Sequence, residues 1–383
     1  MSGGMIRSGI ALLATVMLSG CAVAGEVPQS AASATIRPSN VKVDFTASRI
    51  TTDLAEGDAG VAGRAVTIDD PLRVASISKL VAALGAMRLA EQGRLDLDRD
   101  VGLYLGWPVR NPAFPETPVT MRQLLSHRSG LRDKIDYIVP LDGDLSAVLA
   151  KPEAWEAKYP PGTYFSYANI NSPLIAAVME AATGERFDRL MARLVLAPLK
   201  LDACYNWGAG CSDGRRAQAV TLLRPNGDLA RDAPMAGPDP CAVYPASDGT
   251  CDVEKLYRLG RNGSAFSPQG GLRISARDLA KIGQVMLNQG RPLLSSKTFT
   301  EMTGPVWTFD GSNGDDDKGY FKTYGLGIHW LEKDGQLWIG HVGEAYSLRA
   351  GFWVNMKERK GFVRYATMVD EFAPVGHCFE TCP

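Results

Sequence analysis

Apolar residues recur at helical spacing in three parts of the chain and gather into strand-like runs in two others. Leu80-Val81-Ala82-Ala83-Leu84-Gly85-Ala86-Met87 carries the helical pattern and stops near Gly93, which predicts a buried helix beginning at Ser76. Leu174, Ile175, Ala177 and Val178 repeat the pattern up to Gly184, and Ala276 to Asn288 repeats it again. Val41 to Val66 reads as short strands, and Gly325 to Val369 as a longer run of them. Helices with loops dominate from Ser76 to about Pro198, and residues 200 to 265 form a Gly/Pro/Cys-rich excursion. The pattern predicts a mixed α/β chain without internal repeats.

The first apolar stretch is of another kind. Ile10 to Leu18 is too short to span a bilayer comfortably and follows a segment with one positive side chain, Arg7, so residues 1–20 read as an export signal. Leu18-Ser19-Gly20-Cys21 looks like a bacterial lipobox, which would make Cys21 a lipidated N-terminus and residues 21–40 a small polar tether. An ordinary secretory signal with an incidental cysteine is the alternative. Either reading takes the chain out of the cytoplasm, and the lipid would hold it on the periplasmic side of a membrane, the outer one by expectation. Cysteine usage points the same way: apart from Cys21 there are Cys204, Cys211, Cys241, Cys251, Cys378 and Cys382, an even set that suggests disulfides in an exported protein. Closeness in sequence favours Cys204 with Cys211, Cys241 with Cys251, and Cys378 with Cys382. A zinc site is the weaker reading, since no pair has Cys-x-x-Cys spacing.

Composition narrows the partners. The 383 residues are 45% hydrophobic and 22% charged, enough for one large core or two closely packed lobes. A net charge of −1 gives no bulk attraction to nucleic acid or anionic lipid, so nucleic acid is not an expected partner.

Candidate chemistry begins at Ser76-Ile77-Ser78-Lys79. Side chains at i and i+3 are neighbours on a helix, so Lys79 can reach the Ser76 hydroxyl, and a buried lysine loses proton affinity and can act as a base. Pro160-Pro161-Gly162 precedes Tyr167-Ala168-Asn169 at the entrance of the next helix, a position from which a phenol and an amide can face a cleft. A tyrosine with an ordinary pKa of about 10 becomes a base only if nearby cations stabilise its phenolate. In isolation, Tyr167 reads as a packing residue and Asn169 as a helix cap. His341-Val342-Gly343 lies in a strand whose glycine exposes backbone for a substrate to lie against.

Together the three segments resemble the serine β-lactamase and penicillin-binding-protein superfamily, on the branch holding class C β-lactamases, D-alanyl-D-alanine carboxypeptidases and β-lactamase-like esterases. The second motif is Tyr-Ala-Asn rather than Ser-Asp-Asn, and the third His-Val-Gly rather than Lys-Thr-Gly. Val119 to Leu131, Gly270 to Ala280 and Tyr324 to Gly327 resemble the same branch, and the likeness runs from about 45 to 370. It implies an α/β (α+β) fold in which an antiparallel sheet flanked by helices sits beside an all-helical lobe, with the active site between them. The sheet lobe would take about 41–75 and 265–383, the helical lobe about 76–200, and one catalytic domain would span 41–383.

The same resemblance implies the roles. Ser76 would be the nucleophile, Lys79 its partner in proton transfer and Tyr167 the base that returns a proton to the leaving group. Asn169 would orient Lys79 and a substrate carbonyl, His341 and Gly343 would line the cleft, and the amides of Ser76 and Glu344 would hold the oxyanion. No metal or organic cofactor is implied, and a monomer acting on a small-molecule or peptide substrate, such as one derived from peptidoglycan, is expected. A neutral His341 attracts a substrate carboxylate less than lysine would, and Glu344 would repel one unless Arg349 offsets it. Peptidase, amidase or esterase chemistry of the D-alanyl-D-alanine carboxypeptidase type is therefore expected ahead of β-lactam hydrolysis.

Two other classes compete. One is a catalytically silent lipoprotein that binds peptidoglycan on the same scaffold. The other is an α/β-hydrolase using Ser212 in Gly210-Cys211-Ser212-Asp213-Gly214, though no convincing strand precedes that turn. His127 reads as a structural hydrogen-bonding residue, and Asp310 to Asp317 as a solvated acidic loop rather than a calcium site.

Overall fold

Alternation builds the first strand, β1 (Asn40–Thr46): Val41, Val43 and Phe45 are buried while Lys42 and Asp44 lean outward. The computed structural model describes residues 35–232, 241–370, 376–379, 381 and 382. The chain divides into Met1–Thr35 and a second unit, Ile36–Pro383. The expected export signal, Cys21 and most of the tether lie outside the described residues.

After β1 come β2 (Ile50–Glu56), β3 (Leu72–Arg73), β4 (Cys204–Tyr205), β5 (Leu222–Leu223), β6 (Leu229–Arg231), β7 (Leu272–Ile274) and β8 (Trp307–Thr308). The last five are β9 (Thr323–Tyr324), β10 (His329–Lys333), β11 (Gln336–Ala345), β12 (Leu348–Asn355) and β13 (Lys360–Ala366). The helices are α1 (Ile77–Glu91), α2 (Gly102–Leu105), α3 (Met121–Leu125), α4 (Leu145–Leu149), α5 (Asn171–Thr183), α6 (Phe187–Met191), α7 (Val253–Leu256), α8 (Ala276–Leu287) and α9 (Ser296–Thr303).

Eight strands form one antiparallel sheet in the order β2-β1-β13-β12-β11-β10-β9-β8. Helix α8 lies on it against β1, β12 and β13, and Gly283 lets it seat, because a Cβ there would stand 2.1 Å from the Phe45 ring. The Ser275 hydroxyl caps α8 by accepting from the Asp278 N–H at 3.1 Å. Helix α1 is buried nearly all round, between the sheet and the helices α5 and α6. That burial places its first turn deep in the molecule.

The sheet flanked by helices matches the implied fold, and the helices expected from Ser76 to near Gly93, along Leu174 to Gly184 and over Ala276 to Asn288 form at α1, α5 and α8. The sequence pattern did not reveal a second sheet, β3-β7-β4, which ties the excursion to the residues just before Ser76. Leu72–Arg73 belongs to this sheet, not to the main one. Three disulfides, Cys204–Cys211, Cys241–Cys251 and Cys378–Cys382, join the neighbours expected from the sequence.

Candidate active site

Ser76 owes its position to a sharp turn. Strand β3 pairs with β7, Val74 N–H donates to the Leu272 carbonyl at 3.0 Å, and Ala75 then takes a left-handed φ of +46° that swings the chain into α1. Ser76 is the residue before the first helical position, so its amide stands at the positive end of α1. Ser78 pins the turn from behind: its hydroxyl accepts from Leu272 N–H at 3.1 Å, and its carbonyl accepts from the Tyr205 hydroxyl at 2.9 Å.

Lys79 is 5% exposed, and its Nζ lies 2.8 Å from Ser76 Oγ, 2.8 Å from Asn169 Oδ1 and 3.0 Å from the Gln269 carbonyl. Burial pushes its ammonium down to about 7, against an upward pull from Asp133. The two carbonyl oxygens can only accept, so they hold two of its hydrogens. In the neutral amine the lone pair is then left for the Ser76 hydroxyl.

Asn169 is placed by Asp133. One Asp133 oxygen accepts from the Asn169 backbone N–H at 2.7 Å and from Asn169 Nδ2 at 3.0 Å, while the other accepts from Ile170 N–H at 3.0 Å. This orientation turns Asn169 Oδ1 to Lys79, and Asn169 does not act as a helix cap.

Tyr167 is clamped between rings, with His127 stacked at 4.3 Å on one side and Phe321 at 5.1 Å on the other. Lys79 Nζ is 5.0 Å from its ring centroid, and Ser76 is near enough to its hydroxyl to draw the phenol's pKa down. Burial pushes the phenol up, and the nearby Ser76 hydroxyl offsets only part of that. The resting side chain is thus a phenol, not the phenolate that a basic role requires. His127 is structural, as expected: its Nδ1 accepts from Ala168 N–H at 3.1 Å and contacts Asn171 Nδ2 at 3.1 Å, and burial pushes its pKa well down.

The third segment requires one correction. His341 was expected to line the cleft, but it is 1% exposed: Nε2 faces the Tyr324 hydroxyl at 2.9 Å and Nδ1 the Val342 carbonyl at 2.7 Å. Burial, together with the Lys79 charge, holds its pKa near 3, so it is a neutral support for the aromatic cluster behind Tyr167. Its neighbours Val342 and Glu344 line the groove instead. Gly343 admits a close approach, since a Cβ there would lie 2.3 Å from the Val74 carbonyl oxygen. Ladder pairing of β11 with β10 ends at Gly340, so among the described residues 341–345 pair only with β12 and leave an edge beside the groove. Glu344 pairs with Arg349 at 2.8 Å, so the arginine does offset its charge.

The groove has two chambers. Ser76, Asn169, Glu344, Ala345 and Tyr346 line both; Tyr167, Phe321 and Arg349 belong to one of about 550 Å³, and Arg73, Gln269 and Arg273 to the other, of about 650 Å³.

Residues 50–375 match the family profile described as Beta-lactamase. The chain belongs to the β-lactamase family. Like its relatives, it is a serine hydrolase on that fold. Among curated relatives, Esterase EstB of Burkholderia gladioli is 31% identical over 286 residues, 65% of this chain and 67% of that protein. Protein flp of Staphylococcus aureus (strain N315) is 27% identical over 131 residues, 33% of this chain and 26% of that longer protein. Among solved structures, a D-stereospecific amidohydrolase from Streptomyces sp. aligns with a TM-score of 0.61 at 22% identity, over 88% of this chain and 90% of that one. The D-amino acid amidase of Ochrobactrum anthropi SV3 aligns with a TM-score of 0.61 at 18% identity, over 86% and 87%. These two likenesses speak to the fold.

Within this β-lactamase-family site the sequence reading overlooked Asp133, Gln269 and Arg73. They reach it from a loop, a carbonyl and a two-residue strand, none of which carries a periodic signal. Ser212 is remote in character: it is exposed, donates to Asp202 at 2.7 Å and adjoins the Cys204–Cys211 bridge.

Proposed function

We propose that this chain hydrolyses esters or amides through an acyl-enzyme on Ser76, with Lys79 as the proton acceptor and Tyr167 as the proton donor to the leaving group. The observation that carries the assignment is the Lys79 environment, in which two carbonyls hold two hydrogens and the remaining valence meets Ser76 Oγ at 2.8 Å. Ser76 Oγ bonds to the substrate carbonyl carbon as its proton passes to Lys79, and the charge on the carbonyl oxygen meets the Ser76 and Glu344 amides. The bond to the leaving group then breaks, the leaving group takes the Tyr167 proton, and the Lys79 ammonium restores it. Water adds to the ester on Ser76 with a proton again taken by Lys79, and Ser76 leaves protonated with release of the acid. The relative named as an esterase supports ester substrates, and the fold neighbours named as amidases support amides.

The Glu344–Arg349 pair occupies the groove where a leaving-group carboxylate would dock, which supports esters and amides ahead of β-lactams and D-alanyl peptides. Export with a lipid on Cys21 completes the proposal, supported by the Leu18-Ser19-Gly20-Cys21 motif and by the three disulfides. Intact mass after a fluorophosphonate or p-nitrophenyl ester tests the chemistry: one adduct is expected on the native chain and none on Ser76→Ala. An adduct that survives in Ser76→Ala and vanishes in Ser212→Ala would sink it. Turnover of a cephalosporin comparable to that of simple esters would overturn the substrate order.

A further inference from the structure

The chamber opposite Tyr167 carries charge that the hydrolytic mechanism does not use. Arg73 lines it at 6% exposure; Nη2 donates to Ser267 Oγ at 3.1 Å, while Nε and Nη1 are buried without a partner among the described residues. Gln269 Oε1, in the same wall, is also buried with no partner among the described residues. Asp232, in the same wall, pairs with Arg273 at 2.7 Å and Glu344 pairs with Arg349, so Asp232 acts on Arg73 only through its field and neither acid forms an ion pair with Arg73 among the described residues. A second cation stands at the rim: the Tyr346 ring lies 5.1 Å from the Arg73 guanidinium and 5.6 Å from that of exposed Arg231. Burial, and then repulsion from Arg273, pulls the Arg73 pKa down to about 9, and the opposite pull of Asp232 offsets only part of that.

Which half of a substrate enters this chamber follows from the proton donor. Tyr167 lines the other chamber, so the leaving group that takes its proton lies there, and the acyl group is left to the Arg73 side. We propose that the Arg73 chamber is an acyl subsite for substrates whose acyl chain ends in a carboxylate, gripped by Arg73 and assisted by Arg231. A guanidinium fork fits a carboxylate through two parallel N–H donors, and about 650 Å³ accommodates a dicarboxylic monoacyl chain. The inference rests on the acyl-enzyme reading above.

Mono-p-nitrophenyl adipate and the corresponding neutral methyl ester, p-nitrophenyl methyl adipate, provide the test at pH 8 and low salt, with the Ser76→Ala rate subtracted. The native enzyme should prefer the carboxylate by about ten- to a hundredfold in kcat/KM, as charge-assisted hydrogen bonds in a buried site give. Arg73→Gln should bring that ratio to near one, and Arg231→Gln should lower it by a smaller factor. The native ratio and the surface variant decide the matter even if Arg73→Gln does not fold. Turnover of both esters without preference, or a ratio unmoved in folded Arg73→Gln, overturns the subsite and leaves the hydrolase reading standing. No turnover of either ester and no adduct on Ser76 removes the hydrolase reading and the subsite with it.

Discussion

Two titratable side chains touch the Ser76 hydroxyl, and burial moves them in opposite directions. Lys79 descends to about 7 while Tyr167 rises, so near neutrality the amine is the group that can accept a proton and the phenol the one that can donate. A base must be deprotonated to work, so kcat/KM should climb as pH increases through about 7 and level off above it; a pH–rate profile on a neutral ester checks this, and a rate that falls across that interval contradicts it. The Tyr167 role separates by leaving group. Tyr167→Phe should lower the rate roughly a hundred- to ten-thousandfold for an alkyl ester or amide, whose leaving group needs a proton, and far less for a p-nitrophenyl ester. Equal losses on both would mean that the ring acts by position alone. At this scale the sequence was informative wherever partners are close along a helix, as Ser76 and Lys79 are. It was silent on Asp133, which turns Asn169 from 36 residues away, because nothing local links them.

The site depends on two elements approaching edge to turn, β11 and the Val74-Ala75-Ser76 corner. Gly343 makes that approach possible, and its missing Cβ would meet a backbone oxygen, which cannot rotate away as a side chain would. Gly343→Ala should therefore push β11 from the corner, costing about 1–3 kcal/mol of stability by thermal or denaturant unfolding. It should also cost about a hundredfold in kcat/KM, since misplacing a reacting group by about an ångström has effects of that size. Unchanged kinetics would show that the strand does not position the substrate. Elements were also where the sequence reading had its clearest success and its clearest error. Long periodic stretches marked α1, α5 and α8, whereas the two-residue strands β3 and β4 left no pattern to detect. His341 fell to strand parity: alternate residues of β11 face opposite ways, and the pattern alone does not say which set meets the groove.

Across the whole molecule, labour is divided between a scaffold and a wall. Ser76, Lys79, Tyr167 and Asn169 sit on or beside α1 and α5, helices that the main core holds, whereas much of the Arg73 chamber is walled by the excursion, including Trp207, Arg231 and residues 241–245. Among its described residues that segment has only short regular elements, and two of the three disulfides, Cys204–Cys211 and Cys241–Cys251, bridge it. Such links limit the disorder that a loop can explore, with typical contributions of about 2–4 kcal/mol. They also depend on an oxidising compartment, which connects the shape of the chamber to the proposed export of the chain. Because Cys241 itself lines the chamber, its crosslink should govern substrate grip more than chemistry. Paired Cys241→Ser and Cys251→Ser substitutions should raise KM several-fold for carboxylate-ended esters while kcat changes little. The neutral ester should be less affected, since it makes less use of that wall. If kcat collapsed with KM unchanged, the bridge would be supporting the catalytic residues themselves, and the separation of wall from scaffold would be wrong.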